Sequence, residues 1–284
     1  MAQFLKILLA RFNIKIRCKR NLGYFPNLKN PQTYCEKVQW LKLNEHLHDE
    51  NVILKSDKFA VRKFLEGKGL SEHLVKLYGC FNRPDDIDFE ELPQRFVLKL
   101  NNASGPENRW FVKNKTSFDI ARFKEEAKER MLRQYGLRYG EFHYGKIPPK
   151  IICEEYLVDP EKSFRDYKFY CFNGRIEFLS VEEGKAEGHN FIEYYDKNYN
   201  HYPVNFFNDY QRPATPFNKP DNFNRMVSIA ERLSQGYPHV RIDLYNVKGQ
   251  IYFGEMTYAP ESGFIQWKPR SLDLKFGRLI DLDP

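Results

Sequence analysis

Two acidic side chains near the end of the chain have the type and spacing of a metal site. Asp243 and Glu255 lie on the two arms of a predicted hairpin that turns at Lys248-Gly249. On such a hairpin the two carboxylates come near one another and face one side of the sheet. Adjacent carboxylates repel unless a cation or a proton lies between them, and Mg²⁺ combines a few carboxylate oxygens with phosphate and water. The pair therefore predicts a Mg²⁺ site, and the alternative is that each carboxylate pairs with a nearby base such as Arg241.

Three lysines have neighbours that suit the binding of phosphate. Lys99 ends a predicted apolar strand and precedes a loop of small residues that includes Ser104 and Gly105. Small residues let backbone N–H groups approach phosphate oxygens, and a lysine adds a mobile positive charge. Lys168 opens a predicted hairpin, and Lys58 stands at a predicted helix start. The Walker pattern is absent, so each lysine, taken alone, is better explained by an ordinary turn or a solvated surface.

The end of the predicted strand KIICEEYL offers a place for a nucleotide base. Its carboxylates, Glu154 and Glu155, and the strand edge could meet the amino group of a purine through backbone carbonyl and N–H groups. A charged strand end is the simpler explanation when this segment is taken alone.

Composition limits the class of protein and its compartment. The 284 residues are 42% hydrophobic and 16% aromatic, which predicts a globular chain with a buried core. A net charge of +7, spread along the sequence, favours an anionic partner without identifying it. The five cysteines form no CxxC pair, and no segment has the pattern of a secretory signal or a transmembrane helix. These features predict a reduced, cytoplasmic protein.

Residues 1–20 mix apolar and basic side chains at the period of an α-helix, which gives an apolar stripe beside a basic one. Such a helix could lie on the anionic inner surface of a membrane as a peripheral contact. The alternative is an amphipathic helix that packs on its own domain.

The rest of the pattern predicts an α+β chain with antiparallel sheets in two lobes. Thr33 and Glu36 form a predicted capping box for a helix that begins at Tyr34. A hairpin with the small-residue loop, a helix and the strand KIICEEYL follow. The next hairpin turns at Asn173-Gly174, a pair that suits a type I′ turn, and a helix separates it from the final hairpin.

In this order the motifs resemble the ATP-grasp superfamily, and the string GEMTYAPESGF is similar to its Glu-x-Asn-x-x-Pro-x-x-Gly ending. A closer resemblance is to the TupA-like ATP-grasp family, named for a teichuronopeptide biosynthesis protein. It runs from about Leu28 to about Gly277. The segments that carry it are LKNPQTYCEKVQWLKL, FVLKLNNASG, PKIICEEYL, DYKFYCFNGRIEF and VRIDLYNVKGQIYFGEMTY.

On this resemblance, two lysines hold the phosphates of ATP, a flexible loop covers them and a hinge segment binds adenine. The matching positions are Lys58 and Lys99, then Ser104 and Gly105, then Glu154, Glu155, Tyr156 and Leu157. At the hinge, the backbone of Glu155 and Leu157 would contact the purine, and a carboxylate would hold the ribose or the amino group.

The resemblance assigns the chemistry to the later hairpins. Lys168 occupies the position of a basic residue that faces the transferred phosphoryl group, and Arg241 would stabilise the same charge. Asp243 and Glu255 match the Mg²⁺ ligands, whereas Thr257 stands where the superfamily commonly has Asn. A hydroxyl can also reach a metal, so Thr257 is a third candidate ligand.

The resemblance also implies a domain plan and a reaction. Residues 1–55 would form a short helical N-terminal segment, residues 56–150 the ATP-grasp N-lobe and residues 151–284 the C-lobe. The reaction would activate an acceptor carboxylate as an acyl phosphate, which an amine attacks. The substrates would be a carboxylate-bearing glycan, sugar nucleotide or lipid-linked acceptor and an amine or amino acid, used in capsule, lipopolysaccharide or cell-wall polysaccharide assembly.

Other functions stay open. Asp86-Ile87-Asp88 and Asp281-Leu282-Asp283 fit the DxD pattern with which glycosyltransferases hold a nucleotide sugar, although neither follows a convincing apolar strand. A kinase acting on a glycan would use the same ATP site. A basic module that binds membrane or nucleic acid would explain the charge but not the acidic pair. The scattered aromatic residues are typical of a core rather than of a stacking surface, so no nucleic acid partner is expected.

Overall fold

The computed structural model describes residues 2–157, 165–184, 191–203, 205–207 and 211–282, and for residues 2–6 and 138 the backbone alone. Asp283, part of the second DxD motif, lies outside these ranges. No helix within them is long and apolar enough to cross a membrane.

Four helices come first along the described chain, and groups of strands separated by single helices follow. The helices are α1 (Ala2–Leu22), α2 (Tyr34–Asn44), α3 (Glu50–Ser56), α4 (Val61–Gly67), α5 (Ile120–Met131), α6 (Phe223–Ser234) and α7 (Ser271–Gly277). The first strands are β1 (Leu77–Phe81), β2 (Phe96–Leu100), β3 (Arg109–Val112) and β4 (Ile151–Glu155). The later strands are β5 (Arg165–Phe172), β6 (Arg175–Glu183), β7 (Phe191–Tyr195), β8 (His201–Tyr202), β9 (His239–Val247) and β10 (Gln250–Thr257).

The strands form two antiparallel sheets, which confirms the predicted α+β class. The first sheet has four strands in the order β1-β4-β2-β3, and the second has six in the order β10-β9-β5-β6-β7-β8. Strand β4 pairs with β1 and β2, so the first sheet continues to Glu155, beyond the predicted lobe boundary after residue 150. The lobe boundaries themselves stay a prediction.

Two tight turns set the register of the second sheet. Asn173 and Gly174 have φ angles of 46° and 76°, as a type I′ turn requires, and they join β5 to β6. Lys248 and Gly249, with φ angles of 52° and 78°, join β9 to β10 in the same way. Both turns were predicted from their residue pairs, and both are confirmed.

The two faces of the second sheet have different partners. One face places Phe169 and Ile242 in an apolar core that α6 completes with residues such as Met226. The other face places Tyr170 and Phe172 in a second core that contains residues of α2 and α7. Because side chains alternate along a strand, Lys168 and Asp166, which stand two and four positions before Tyr170, lie on this second face.

Helix α1 packs on the chain through a buried stripe. Ala10, Ile14 and Cys18 are at most 3% exposed and lie in a core with Leu43 of α2 and Phe142. The predicted N-terminal helix is therefore present, and one of its faces docks on the domain. The predicted capping box of α2, between Thr33 and Glu36, is also present.

A buried histidine at the start of β9 is held in its neutral form. The Nδ1–H of His239 donates to the carbonyl of Cys171 at 2.9 Å, and its Nε2 accepts from the Tyr34 hydroxyl at 2.9 Å. Burial lowers the pKa of His239 to about 3, and burial likewise lowers the pKa of His143 to about 3.

Acid should destabilise the fold through these two histidines. The unfolded chain takes up protons below its histidine pKa of 6.5, whereas the folded chain does so only near pH 3. Stability is therefore lost as the pH falls, by up to about 2 kcal/mol per histidine between about pH 7 and pH 5. Urea unfolding of wild type and H239Q at both pH values measures this loss of stability. H239Q should lose stability less steeply than wild type as the pH falls, and an equal slope in the two proteins would contradict the account.

Candidate active site

A cavity of about 610 Å³ is lined by residues of both sheets. The second sheet contributes side chains from β5, β6, β9 and β10, and the first sheet contributes β2, β3 and the loop between them. The predicted site residues that line the cavity are Lys58, Lys99, Ser104, Gly105, Lys168, Arg241, Asp243, Glu255 and Thr257. The structure brings these residues together, while the role of each stays a prediction.

Three charged side chains stand in register on adjacent strands. Lys168 on β5 is the partner of Asp243 on β9, which is the partner of Glu255 on β10. Lys168 Nζ lies 3.3 Å from Asp243 Oδ2, and Arg241 donates two hydrogen bonds of 2.7 Å to the Asp243 carboxylate. Asp243 is 2% exposed, so two cations balance a buried negative charge. The pairing with Arg241, given above as the alternative to a metal site, is present.

A β-bulge brings Glu255 into this row. The register of the rest of the hairpin would place Gly254 opposite Asp243. An irregularity between Phe253 and Glu255 shifts the pairing by one residue, so that Phe253 stays in the apolar core and Glu255 faces the cavity. The predicted proximity and the predicted shared face are both present, but the bulge produces the shared face, since an unbroken hairpin would turn Glu255 to the opposite face.

Glu255 connects the row to the first sheet through Lys58. Glu255 Oε2 lies 3.4 Å from Lys58 Nζ, and Oε1 lies 3.5 Å from Arg241 Nη2. Lys58 also donates a 2.8 Å hydrogen bond to the carbonyl of Ala103, in the loop after β2. The Thr257 hydroxyl accepts from Arg241 at 3.2 Å. Lys58 therefore joins a carboxylate of the second sheet to a loop of the first.

Asn101 fixes the position of Lys58. Its carbonyl accepts the Lys58 N–H at 3.0 Å, and its Nδ2 donates to Asp57 Oδ1 at 2.9 Å and to the Pro148 carbonyl at 3.1 Å. Its Oδ1 accepts from the N–H of Lys150 at 2.6 Å. A buried amide with this many partners holds the Asp57-Lys58 segment against the end of β2.

Lys99 reaches the cavity from the first sheet, and Glu154 positions it. The two side chains form an ion pair between β2 and β4, and Arg62 lies 3.4 Å from the other oxygen of Glu154. Glu154 is 6% exposed and is not part of the described cavity lining. The structure thus gives Glu154 a contact with Lys99, and its predicted contact with adenine stays a prediction.

The loop between β2 and β3 has a glycine where its backbone needs one. Gly105 has a φ angle of 94°, which other residues rarely adopt. Beside it, the carbonyl of Ser104 accepts from Asn108 Nδ2 at 2.6 Å and from the Tyr135 hydroxyl at 3.1 Å. Ser104 and Gly105 therefore line the cavity on a loop whose base is fixed by side chains.

Neighbouring charges oppose the effect of burial on the pKa values of the cluster. Burial alone would lower the pKa of Lys168, but nearby carboxylates, Asp166 first among them, raise it well above its ordinary value. Burial would raise the pKa of Glu255, but Lys58 and Arg241 lower it overall. Burial lowers the pKa of Lys58, and the attraction of Glu255 opposes this only in part.

The predicted adenine hinge lies at the end of β4, outside the described lining of the cavity. The N–H of Glu155 donates to the carbonyl of Lys76 at 2.9 Å. The ring of Tyr156 contacts that of Phe111 edge-on, with 6.1 Å between their centroids. The contact of Glu155 and Leu157 with a purine stays a prediction.

Sequence analysis missed further polar residues of the cavity, namely Arg109, Asp166, Glu182 and Tyr245. Asp166 is the register partner of Glu182 on β6 and of Tyr245 on β9. Asp166 stands two residues before Lys168, so strand alternation alone would have placed both on one face. Glu182 and Arg109 required the strand pairing, which the sequence does not contain.

Residues 36–281 match the model of the TupA-like ATP-grasp family. The chain belongs to this family. The match confirms the resemblance stated above and, with it, the ATP-grasp fold. ATP-grasp enzymes bind ATP, typically with Mg²⁺. A comparison with curated proteins gives no match.

Several solved ligases are similar to this chain at low identity. D-alanine-D-alanine ligase from Helicobacter pylori has a TM-score of 0.46 and 14% identity, over 82% of this chain and 63% of the ligase. L-amino acid ligase from Bacillus licheniformis has a TM-score of 0.44 and 14% identity, over 81% of this chain and 49% of the ligase. This ATP-grasp chain thus spans less than two thirds of either ligase.

The oxygen donors of the cavity suit Mg²⁺. No group of three or more His, Cys, Asp or Glu side chains in the described part of the chain could hold a metal by itself. Mg²⁺ needs fewer, since it binds through one or two carboxylates together with substrate phosphates. Asp243 and Glu255 supply two carboxylates in register, and the Thr257 hydroxyl lies beside Glu255 at 3.5 Å. These residues therefore fit the ion.

Removing the charge of Asp243 should destabilise the fold even without a nucleotide. D243N leaves Arg241 and Lys168 without their shared buried counter-charge, and we expect the free energy of unfolding to fall by about 3 kcal/mol. Urea unfolding measures this loss. In the matched control E129Q, which breaks an exposed ion pair with Arg133, the change should stay within about 0.5 kcal/mol. Equal effects of the two variants would contradict the buried network.

Proposed function

We propose that this chain is a Mg²⁺- and ATP-dependent ligase that joins an acceptor carboxylate to an amine. The main support is the cavity, where Lys168 and Arg241 of the second sheet and Lys58, held beside the first sheet, contact the Asp243–Glu255 pair. Family membership supports ATP as the nucleotide. The division into an N-terminal segment (1–55), an N-lobe (56–150) and a C-lobe (151–284) is part of this proposal, and β4, the first strand after residue 150, pairs with strands of the N-lobe.

Charge balance gives a reason for the nucleotide to enter with a metal. Six cationic and six carboxylate side chains line the cavity within the described part of the chain. The protein therefore offers little net positive charge to the triphosphate, although its cations are well placed to contact individual oxygens. A bound divalent ion would be the largest local charge in such a site. We expect nucleotide binding to depend strongly on Mg²⁺.

The cations of the cavity would hold the phosphates from two sides. Lys99 reaches the cavity from β2 of the first sheet, and Lys58 reaches it from the segment held against the end of that strand. Both lysines would bind the phosphate chain. Lys168 and Arg241 reach it from the second sheet and would stabilise charge on the transferred phosphoryl group. Each of these lysines is held in place by a partner, as Lys99 is by Glu154. The arrangement orients the phosphates before the reaction begins.

Asp243 and Glu255 would hold Mg²⁺, with Thr257 as a third candidate. When bound, the ion would neutralise charge that develops on the phosphates. Arg241 donates both to Asp243 and to Thr257, so it fixes these candidate ligands relative to one another.

The proposed reaction has two steps. An oxygen of the acceptor carboxylate attacks the γ-phosphorus, the bond to the β–γ bridging oxygen breaks, and ADP leaves. The amine then attacks the acyl carbon, phosphate leaves, and the amine loses a proton. Neither step needs a covalent nucleophile from the protein. Closure of the loop with Ser104 and Gly105 would keep water from the acyl phosphate.

The proposed setting is the assembly of a capsule, lipopolysaccharide or cell-wall polysaccharide. It follows from the family, whose name refers to teichuronopeptide biosynthesis. The acceptor would be a carboxylate-bearing glycan, sugar nucleotide or lipid-linked intermediate, and the donor an amine or amino acid.

The structure disfavours the DxD motif at residues 86–88 as a metal site. Asp86 forms an exposed ion pair with Arg83, and the Asp88 carboxylate accepts the N–H of Glu90 at 3.0 Å. Neither residue is part of the described cavity lining. A glycan kinase would use the same nucleotide site as the ligase, so these two activities have to be distinguished by their reaction products.

Ligand-induced stabilisation tests the nucleotide assignment. We expect Mg-ATP and Mg-ADP to raise the melting temperature, with about 2.7 kcal/mol of stabilisation at a hundredfold excess over Kd. UDP-sugars should give no shift, and a preference for them would indicate a glycosyltransferase. E255Q should weaken the Mg²⁺-dependent binding of the nucleotide at least tenfold and so reduce the shift in melting temperature, whereas E129Q should leave the shift unchanged.

Product analysis separates a ligase from a kinase. With acceptor and amine present, ligation releases ADP and phosphate in equal amounts, whereas a kinase releases ADP alone.

The exposed side of helix α1 supports the proposal that the protein is cytoplasmic and makes a peripheral contact with the inner face of a membrane. Leu8, Leu9, Phe12 and Ile16 are 47–62% exposed, on the side of the helix away from its buried stripe. The helix also contains six Lys and Arg residues and no acidic residue. Exposed apolar side chains among basic ones are typical of helices that lie in an anionic lipid surface.

Vesicle sedimentation tests this contact. The wild-type chain should bind vesicles that contain phosphatidylglycerol and not pure phosphatidylcholine, and added salt should weaken binding. L8S/F12S should lower the affinity at least tenfold, because two exposed apolar side chains are lost. L132S, at an exposed leucine elsewhere, should bind as wild type does. Equal binding of L8S/F12S and wild type would contradict the contact.

A further inference from the structure

The cavity is also lined by a second group of polar side chains, which helix α1 helps to form. Arg17 and Asn21 of α1 line it together with Tyr139, Glu141 and Ser262. Within the group, Ser262 lies five residues after the end of β10, the strand that carries Glu255. The proposed nucleotide chemistry uses none of these side chains.

Arg17 is the cation of this group, and no carboxylate pairs with it in the described part of the chain. Its guanidinium carbon lies 4.5 Å from the centre of the Tyr139 ring. By contrast, Lys58, Lys168 and Arg241 each form an ion pair within the site. A guanidinium over an aromatic ring keeps its N–H donors in its own plane, where they can bind a carboxylate through two parallel hydrogen bonds.

Glu141 is the acidic member of the group. Its carboxylate accepts a 2.7 Å hydrogen bond from the Ser262 hydroxyl. Burial raises its pKa, and the positive charge of Lys42 opposes this rise. A carboxylate with a raised pKa is suited to accept a proton during a reaction.

The loop that carries Ser262 is held in a strained conformation. Glu261 and Ser262 have φ angles of 50° and 52°, which side chains other than glycine rarely adopt. Two buried residues of α2 keep the loop in place: Lys42 donates to the Ser262 carbonyl at 2.7 Å, and Gln39 donates to the Gly263 carbonyl at 2.8 Å. Such strain persists where the surroundings enforce it and is concentrated at functional sites.

We propose that this group is the subsite of the amine donor, and that the donor is an α-amino acid whose carboxylate binds Arg17. The inference rests on the proposed ligase function, because ligation requires a second substrate besides the acceptor. An α-amino acid carries a carboxylate, which matches the guanidinium of Arg17, and an ammonium group, which matches the carboxylate of Glu141. Before it attacks the acyl phosphate, the ammonium group transfers a proton to Glu141 and becomes a neutral amine.

Binding measurements with the full chain test this subsite. The protein is saturated with Mg²⁺ and a non-hydrolysable ATP analogue and titrated with the proteinogenic L-amino acids, each paired with its methyl ester. We expect at least one amino acid to bind and its ester to bind at least tenfold more weakly. R17Q should lose ten- to a hundredfold in affinity for that amino acid, because a charge-assisted bond is removed. R17K should recover part of the loss, and R11Q, on the exposed side of α1, should bind as wild type does.

The outcomes separate this inference from the proposed function. If the ATP analogue binds but no amino acid does, or if R17Q binds the amino acid as tightly as R11Q does, the subsite is overturned and the nucleotide site stands. If the ATP analogue itself does not bind, the proposed function fails first. Unchanged affinity of R17Q for the analogue shows that its fold and nucleotide site are intact.

Discussion

The structure of the site depends on the attraction between a buried carboxylate pair and the cations that surround it. Asp243 is almost fully buried between Arg241 and Lys168, and Glu255 is shared between Arg241 and Lys58. Removing an ion from water costs several kcal/mol, and only close partners with good geometry offset this cost. A shift of one residue in the pairing of β9 with β5 or with β10 would therefore break the row, and the turn at Lys248-Gly249 and the bulge at Gly254 set the pairing of β9 with β10.

The same balance of charges constrains the chemistry. A cavity with as many carboxylates as cations carries no net positive charge, so it does not attract anions in general. It favours a ligand that brings negative phosphates and a positive ion together, which is what a metal-nucleotide complex does. Lys58 and Glu255 link the first sheet's loop to the second sheet, so the two halves of the proposed ATP site share one electrostatic network.

Much of this arrangement could be predicted from the sequence, for identifiable reasons. Asn173-Gly174 and Lys248-Gly249 specify tight turns by local chemistry, and the nearness of Asp243 and Glu255 follows from the hairpin that joins them. The bulge at Gly254 could not be predicted, because a one-residue shift depends on packing and pairing across the whole sheet. The pairing of β4 with β1 and β2 could not be predicted for a similar reason, since both partners are far away in sequence.

The remaining differences between the sequence predictions and the structure arise from tertiary contacts. The contact of Glu154 with Lys99 and the position of Arg17 in the cavity both depend on how elements pack, and no local pattern carries that information. Of the two predicted alternatives for helix α1, packing on its own domain is present, and the exposed apolar side leaves the membrane contact a prediction. Sequence periodicity identified the helix, but only the packed structure separates its two apolar faces.

The most direct measurement is a crystal structure with Mn²⁺ and a non-hydrolysable ATP analogue, with anomalous scattering used to locate the metal. The account predicts a metal peak bound by Glu255, by Asp243 and by phosphate oxygens, with Lys58 and Lys99 on the phosphate chain. A nucleotide bound away from these residues, or a metal that contacts neither carboxylate, would contradict it.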